Sequence, residues 1–236
     1  MKIAALSDFH IGIAERMCAL GHRHDDFQRF LDRLEASHDH IVLLGDIYQC
    51  DHGLQTGPVS AAHQLALAQA RTPWLTARLA QPNVTLVHGN HDAITASVLG
   101  APTTLRLGGE DFSVLLTHGD AHDPVIGTAP RVSATATWAS GRLRSAGLRP
   151  LAQWLENRDV SIKAGRFQVP DGPYAQGAAG LIAATGADVV VFGHTHVLWR
   201  QAVPGGVLLN TGTCSRGQRM YASIDTEART ADVRAD

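Results

Sequence analysis

The stretch "VVVFGHTHVL", residues 189–198, begins as a core strand and ends in residues that a core strand does not carry. Val189 to Phe192 are an apolar run of strand length, Gly193 interrupts it, and His194 and His196 follow with one threonine between them. Capping or loop duty would explain an isolated pair of histidines. Four other strand-like segments end in a similar way. "LSDFH" supplies Asp8 and His10, "LLGDIY" supplies Asp46, "VHGNHD" supplies Asn90, His91 and Asp92, and "LTHGD" supplies His118. Asp8 and His10 alternate, so a period of two would aim both side chains the same way from one strand end. In an open α/β sheet, ligands sit beyond the carboxyl ends of the strands, where all five groups fall.

The rest of the chain supports such a sheet. Strand-like segments run over Lys2–Leu6, His40–Leu44, Val84–Val87, Phe112–Leu116, Asp188–Phe192, Gly206–Leu209 and Met220–Ile224. Between them, "HDDFQRFLDRLEAS" sets Phe27, Phe30, Leu31 and Leu34 on one helical face. Residues 59–80 read as an alanine-rich helix broken at Pro73, and "AQGAAGLIAATG" as a helix capped by Gly186. This alternation predicts an α/β layered core. From Pro124 to Tyr174 no core strand is visible, only helix-like pieces such as "RVSATATWASGRLRS" and "RPLAQWLENR". That segment carries a net charge of +4 against −6 for the remainder. It reads as a helical cap, residues 124–174, inserted in a single domain spanning 1–236. Trp138, Leu143, Leu151, Trp154 and Leu155 are assigned to helix–core contact, with a lipid-facing stripe as the alternative.

Composition excludes several classes. A hydrophobic content of 44% and a charged content of 18% rule out a disordered chain. A net charge of −2 gives no whole-molecule pull toward nucleic acid or anionic lipid. Three cysteines without a C-x-x-C exclude a disulfide framework. No apolar run reaches the length of a membrane span, so no integral membrane association is expected. The first strand starts at Lys2, which leaves no room for a signal peptide and predicts a cytoplasmic protein. Arginine in place of lysine and abundant alanine point to a GC-rich bacterial genome. The 13 histidines stand out. Imidazoles with carboxylates and an amide oxygen suit Mn, Fe, Zn or Co, of which Mn is the first expectation, rather than Ca. Seven candidates are too many for one ion. Two divalent transition-metal ions about 3.5–4 Å apart, sharing a carboxylate, would activate water for in-line attack on phosphorus.

The blocks "DFH", "GD", "GNHD", "HGD" and "GHTH", in this order over residues 8 to 196, resemble the five-block signature of the calcineurin-like metallophosphoesterases. The resemblance implies two facing mixed β-sheets flanked by helices. It implies that Asp8, His10, Asp46 and His196 hold a first metal, and that Asp46, Asn90, His118 and His194 hold a second, Asp46 bridging. His91 would contact the phosphate and assist the leaving group, oriented by Asp92. A metal-bound hydroxide would attack phosphorus in an ester or anhydride of a small molecule or nucleotide. "GDIYQCD" and "GNHD" depart from the forms typical of the Ser/Thr protein phosphatases and symmetrical dinucleotide hydrolases, which argues against a protein-phosphatase role. Chain length and the helical insertion resemble the UDP-diacylglucosamine pyrophosphatase branch, although His91 stands where that branch tends to carry arginine. A nuclease and a non-catalytic scaffold are the other readings. "LLNTGTCSRG" resembles the loop that follows the last block, with Asn210 and Gly212 structural.

Other polar residues near the blocks are assigned less sharply. His22 and His24 read as a solvated loop, and Asp51 and His52 as either loop or site. His122 and Asp123 share that ambiguity. Cys50 lies near the site with no feature that would make it a thiolate nucleophile.

Overall fold

The computed structural model describes residues 1–236. The chain runs through β1 (Lys2–Leu6), α1 (His24–Ser37), β2 (His40–Leu44), α2 (Pro58–Arg71), α3 (Pro73–Leu79) and β3 (Val84–Val87). It continues with α4 (Thr95–Leu99), β4 (Thr104–Gly108), β5 (Ser113–Thr117), α5 (Pro124–Thr128), α6 (Pro130–Ser145) and α7 (Arg149–Ile162). The last elements are α8 (Pro173–Thr185), β6 (Val189–Phe192), β7 (Leu198–Val203), β8 (Gly206–Thr211), β9 (Met220–Asp225) and β10 (Thr230–Ala235).

The strands form two five-stranded mixed sheets, in the orders β10-β9-β1-β2-β3 and β4-β5-β6-β8-β7. In the first, β1, β2 and β3 are parallel; in the second, β5, β6 and β8 are. Period two explains how the sheets stack. Ile3 and Ala5 of β1 and Val42 and Leu44 of β2 meet Val114, Leu116, Val189 and Val191 of the other sheet in a shared core. The alternate residues face outward to helices: Leu6, Ile41 and Leu43 pack with Phe27, Phe30 and Leu65, while Val190 and Phe192 pack with Tyr174 and Ile182. Strands covered on both faces are apolar throughout, which makes them conspicuous in a sequence.

The seven strands expected from sequence are present, with ends shifted by at most a residue or two. Three more, β4, β7 and β10, lie at sheet edges. Their residues are only half-buried or exposed, so no apolar run marks them. The break at Pro73 separates α2 from α3, and Gly186 caps α8 in a left-handed conformation.

Between β5 and α8 the chain is helical, through α5, α6 and α7 and a wide turn at Lys163–Phe167. These inserted helices lie on the loop after β2. A Cβ at Gly141 would stand 2.9 Å from His52 Cα, so only glycine permits this approach. Arg142 donates to the His52 carbonyl at 2.6 Å. The helix–core contact expected of the apolar residues fails for most of them, Leu143 alone being half-buried. Trp154 is 55% exposed and Leu151 46%, because α7 turns that face to solvent.

Candidate metal centre

The carboxyl ends of the parallel strands of both sheets converge, and the five blocks follow them. Asp8 and His10 come after β1, Asp46 after β2, Asn90 to Asp92 after β3, His118 after β5, and His194 and His196 after β6. Strand periodicity is not what aims them. β1 ends at Leu6, and Asp8, His10, Asp46, His194 and His196 all have positive φ, between 49° and 68°. Each is a non-glycine residue in the sparsely populated left-handed region, a cost that surrounding structure must offset and that clusters at functional sites. Gly89 serves by close approach rather than by a tight turn, since a Cβ there would collide with the Asp46 carboxylate.

Three groups of potential ligand atoms gather, each within 4.8 Å: Asp8, His10 and His196; His10, Asp46 and His91; and Asp46, His118 and His194. His10 and Asp46 recur, so the groups join into one centre. His10 offers its Nδ1–H to Gln49 Oε1 at 2.8 Å, and His118 offers its own to the Leu44 carbonyl at 2.8 Å. That leaves each Nε2 as the lone-pair nitrogen. His194 is turned the other way: its Nε2–H meets Asp123 Oδ2 at 2.9 Å, which leaves Nδ1. Such outer partners fix the tautomer and orientation of metal-binding histidines.

The free nitrogens then face atoms they cannot satisfy. His10 Nε2 lies 3.1 Å from His196 Nε2, and His118 Nε2 lies 3.1 Å from Asp46 Oδ2. Asp8 Oδ1, Asn90 Oδ1 and His118 Nε2 are buried without a hydrogen-bond partner. Orphaned buried polar atoms are costly and rare in native interiors. Asp8 and His118 lie within the grouped ligand atoms, where cations would satisfy them. Burial pushes the Asp8 and Asp46 carboxyls upward, but the surrounding imidazoles overcome it and hold both well below the usual carboxylate range. Burial, with the Lys163 ammonium, lowers His194 to about 4, which favours the neutral ring a metal needs, whereas the Asp46 carboxylate outweighs burial and raises His118.

His91 stands apart. Its Nδ1 meets Asp51 Oδ2 at 2.7 Å, and its Nε2 lies 3.9 Å from Asp46 Oδ2. Burial disfavours the charged ring, but the Asp51 and Asp46 carboxylates outweigh it and raise the pKa to about 10. The orienting role expected of Asp92 therefore falls to Asp51. Asp92 instead accepts backbone N–H groups of Asp46, Ile47, Tyr48 and Gly89, pinning the loops after β2 and β3 together. Asn210 does similar work, donating to the Gly193 carbonyl at 2.7 Å and accepting from the Gly212 N–H.

Of the residues left ambiguous in sequence, Asp51 and Asp123 belong to the site and His122 stacks on Phe192 instead. His22 is not merely solvated, since it stacks on Phe27. Burial raises the Cys50 thiol far above its usual range, which excludes a thiolate nucleophile. Gln49 and Lys163 carried no motif. Lys163 Nζ reaches Asp123 Oδ2 at 3.3 Å and Asp159 at 2.9 Å, bracing the partner of His194 from the inserted segment. One signal could have found it: Lys163 is one of only two lysines among the 20 basic residues.

The centre opens into a cavity of about 370 Å³ roofed by α6 and α7. His10, Asp46, His91, His194 and His196 line its floor, and Arg144, Glu156 and Lys163 line its roof.

Fold, strand-end histidines and shared carboxylate together define a metallophosphoesterase-type chain. The family model described as calcineurin-like phosphoesterase matches residues 1–198, and the chain belongs to that family. Similar solved structures include a predicted phosphoesterase from Streptococcus pneumoniae TIGR4, 15% identical, with 100% of this chain and 97% of that chain covered and a TM-score of 0.44. A novel archaeal phosphodiesterase is 15% identical, with 100% of both chains covered and a TM-score of 0.45. Vps29 of Chaetomium thermophilum is 10% identical, with 100% of this chain and 94% of that chain covered and a TM-score of 0.49. No curated protein matches the chain. No helix is long and apolar enough to cross a membrane.

Proposed function

We propose that the chain is a dinuclear-metal-dependent hydrolase of phosphate esters or anhydrides. The observation that carries this reading is the convergence of orphaned, buried ligand atoms around Asp46, with every ligand position intact. Asp8, His10, Asp46 and His196 would hold one ion and Asp46, Asn90, His118 and His194 the other. Bound there, two divalent ions such as Mn would supply an activated water and offset charge on the phosphoryl oxygens.

The chain's own residues do the rest. Asp51 accepts a hydrogen bond from His91 Nδ1–H, so Nε2–H is free to donate to a phosphoryl oxygen or to the departing oxygen. The raised pKa keeps that proton in place at neutral pH. Gln49 ties His10 to Asp51 by accepting from one and donating to the other, which couples a metal ligand to the acid. The roof of α6 and α7 narrows access to the floor, where His91 and His196 keep about a fifth of their side-chain surface exposed. A non-catalytic scaffold has no use for this arrangement, in which strain and charge concentrate on ligand atoms. The substrate class is a phosphorylated small molecule or nucleotide.

Turnover of bis(p-nitrophenyl) phosphate and p-nitrophenyl phosphate with added Mn tests the reading. Hydrolysis of at least one, lost with a chelator and restored by metal, is expected. A metal-loaded chain inert on monoesters, diesters and anhydrides alike would contradict it.

A further inference from the structure

Beside the roofed cavity lies a second, of about 310 Å³, whose lining is unusually basic. Arg144 at the end of α6, Arg149 at the start of α7 and Arg216 of the loop after β8 enclose it, with Gln153 and Asn157 between them. No acidic residue lines it. Arg144 and Arg216 also line the first cavity, so the two share a wall.

The guanidiniums are held but not used up. Arg144 is 2% exposed, and its Nε and Nη2 donate to Glu156 at 2.7 to 3.1 Å. Its Nη1 is buried and has no partner, as is the Nε of Arg149. Arg216 donates to Glu156 and to Asn157 Oδ1, and Arg149 forms no ion pair. Three arginines against one glutamate leave two positive charges around the pocket. Arg216 has a φ of 55°, and its N–H is bound to the Ala19 carbonyl at 2.6 Å, so a strained residue is fixed in place by the opposite wall. Burying a guanidinium with a donor unmet is costly, and a fork of N–H groups matches phosphate oxygens.

We infer that this pocket is a second phosphate subsite, and that the substrate carries a further phosphoryl group there besides the one cleaved at the metal centre. Substrate binding would then span the shared wall. The claim rests on the phosphoesterase reading for the cleaved group, but the subsite can be examined without turnover.

Equilibrium dialysis of labelled inorganic phosphate against the metal-loaded chain, at low salt, counts the sites. Two phosphates per native chain and one per Arg149→Gln chain are expected. Arg149 has no protein partner, so its replacement leaves the fold intact. One phosphate on the native chain and none on the variant would keep the subsite and remove phosphate binding at the metals instead. Equal stoichiometry in the two chains would overturn the subsite.

A kinetic arm separates a substrate phosphate from a free one. The p-nitrophenyl ester of thymidine 5′-phosphate is compared with the same ester bearing a 3′-phosphate. The native enzyme should prefer the bis-phosphorylated ester by about tenfold or more in kcat/KM, as expected for charge-assisted hydrogen bonds. That preference should collapse in Arg149→Gln and be partly kept in Arg149→Lys, which retains charge without the fork. Two sites by dialysis with no kinetic preference would mean that free phosphate occupies the pocket, and the substrate claim would fall.

Discussion

The strand ends and the inserted helices meet across one cavity, yet they hold their charge differently. At the strand ends, charged and polar side chains are forced together with their partners missing: Asp8 Oδ1 and His118 Nε2 are buried and unsatisfied. In the inserted helices charge is matched only in part, since Arg131, Arg149 and Arg166 form no ion pair and Arg144 Nη1 and Arg149 Nε are buried without a partner. Arg144 and Arg216 share Glu156, Arg142 meets a backbone carbonyl, and Lys163 sits between Asp123 and Asp159. A region that waits for a cation announces itself by what it lacks. A region that shapes a substrate pocket ties part of its charge into internal pairs and keeps the rest free, so a net charge of +4 remains for a ligand.

The comparison can be broken most sharply at His91. His91→Asn should lower turnover by about a hundredfold or more while leaving metal content unchanged. The loss should shrink for leaving groups as good as nitrophenolate. Equal losses across leaving groups of very different pKa would leave His91 a phosphate contact only, and would remove the acid from the strand-end region.

Asp123→Asn probes the seam between the two regions, since Asp123 holds His194 on one side and Lys163 on the other. Removing its charge should weaken metal affinity by about 10–100-fold, the usual cost of disturbing a ligand's outer partner. Metal titration followed by activity checks this. Unchanged affinity would mean that the inserted segment only covers the centre.

The smallest effect should come from the pair that stiffens the roof. Burial raises the Glu156 carboxyl, but Arg144, Ser140 and Arg216 overcome it and hold it at about 2, against an ordinary 4.5. A carboxyl depressed in the folded state contributes stability that is present above its unfolded pKa and lost as pH falls through the folded one. Glu156→Gln should therefore lower Tm by several degrees at neutral pH. The deficit should shrink as pH drops below about 4. Thermal melts over that range measure it; a pH-independent deficit would show that packing, not charge, holds α6 to α7.

How much of this could be read in the sequence follows from the same contrast. β1, β2 and β6 are covered on both faces, so apolar runs mark them, and the residues just past their ends stand out as candidate ligands. β4, β7 and β10 are edge strands with one face in solvent, and left no such run. The positive φ values of the candidate ligands are not legible in sequence, because β1 stops two residues before Asp8 and tertiary contacts set the backbone there. Asp51 was visible as a neighbour of the second block, yet its hold on His91 comes from a loop 40 residues away in sequence. The pairing of Arg144 with Glu156 depends on how α6 meets α7, which periodicity does not specify.

The central claim is a pair of ions joined by Asp46. Elemental analysis of the purified, metal-saturated chain, run beside Asp46→Asn and with activity measured on the same samples, tests it most directly. Two transition-metal ions per active chain are predicted, with loss of metal and of turnover in the variant, because no other carboxylate joins the His10 and His118 sides of the centre. A single tightly held ion in fully active enzyme, or an Asp46→Asn chain that keeps both ions and its turnover, would contradict it.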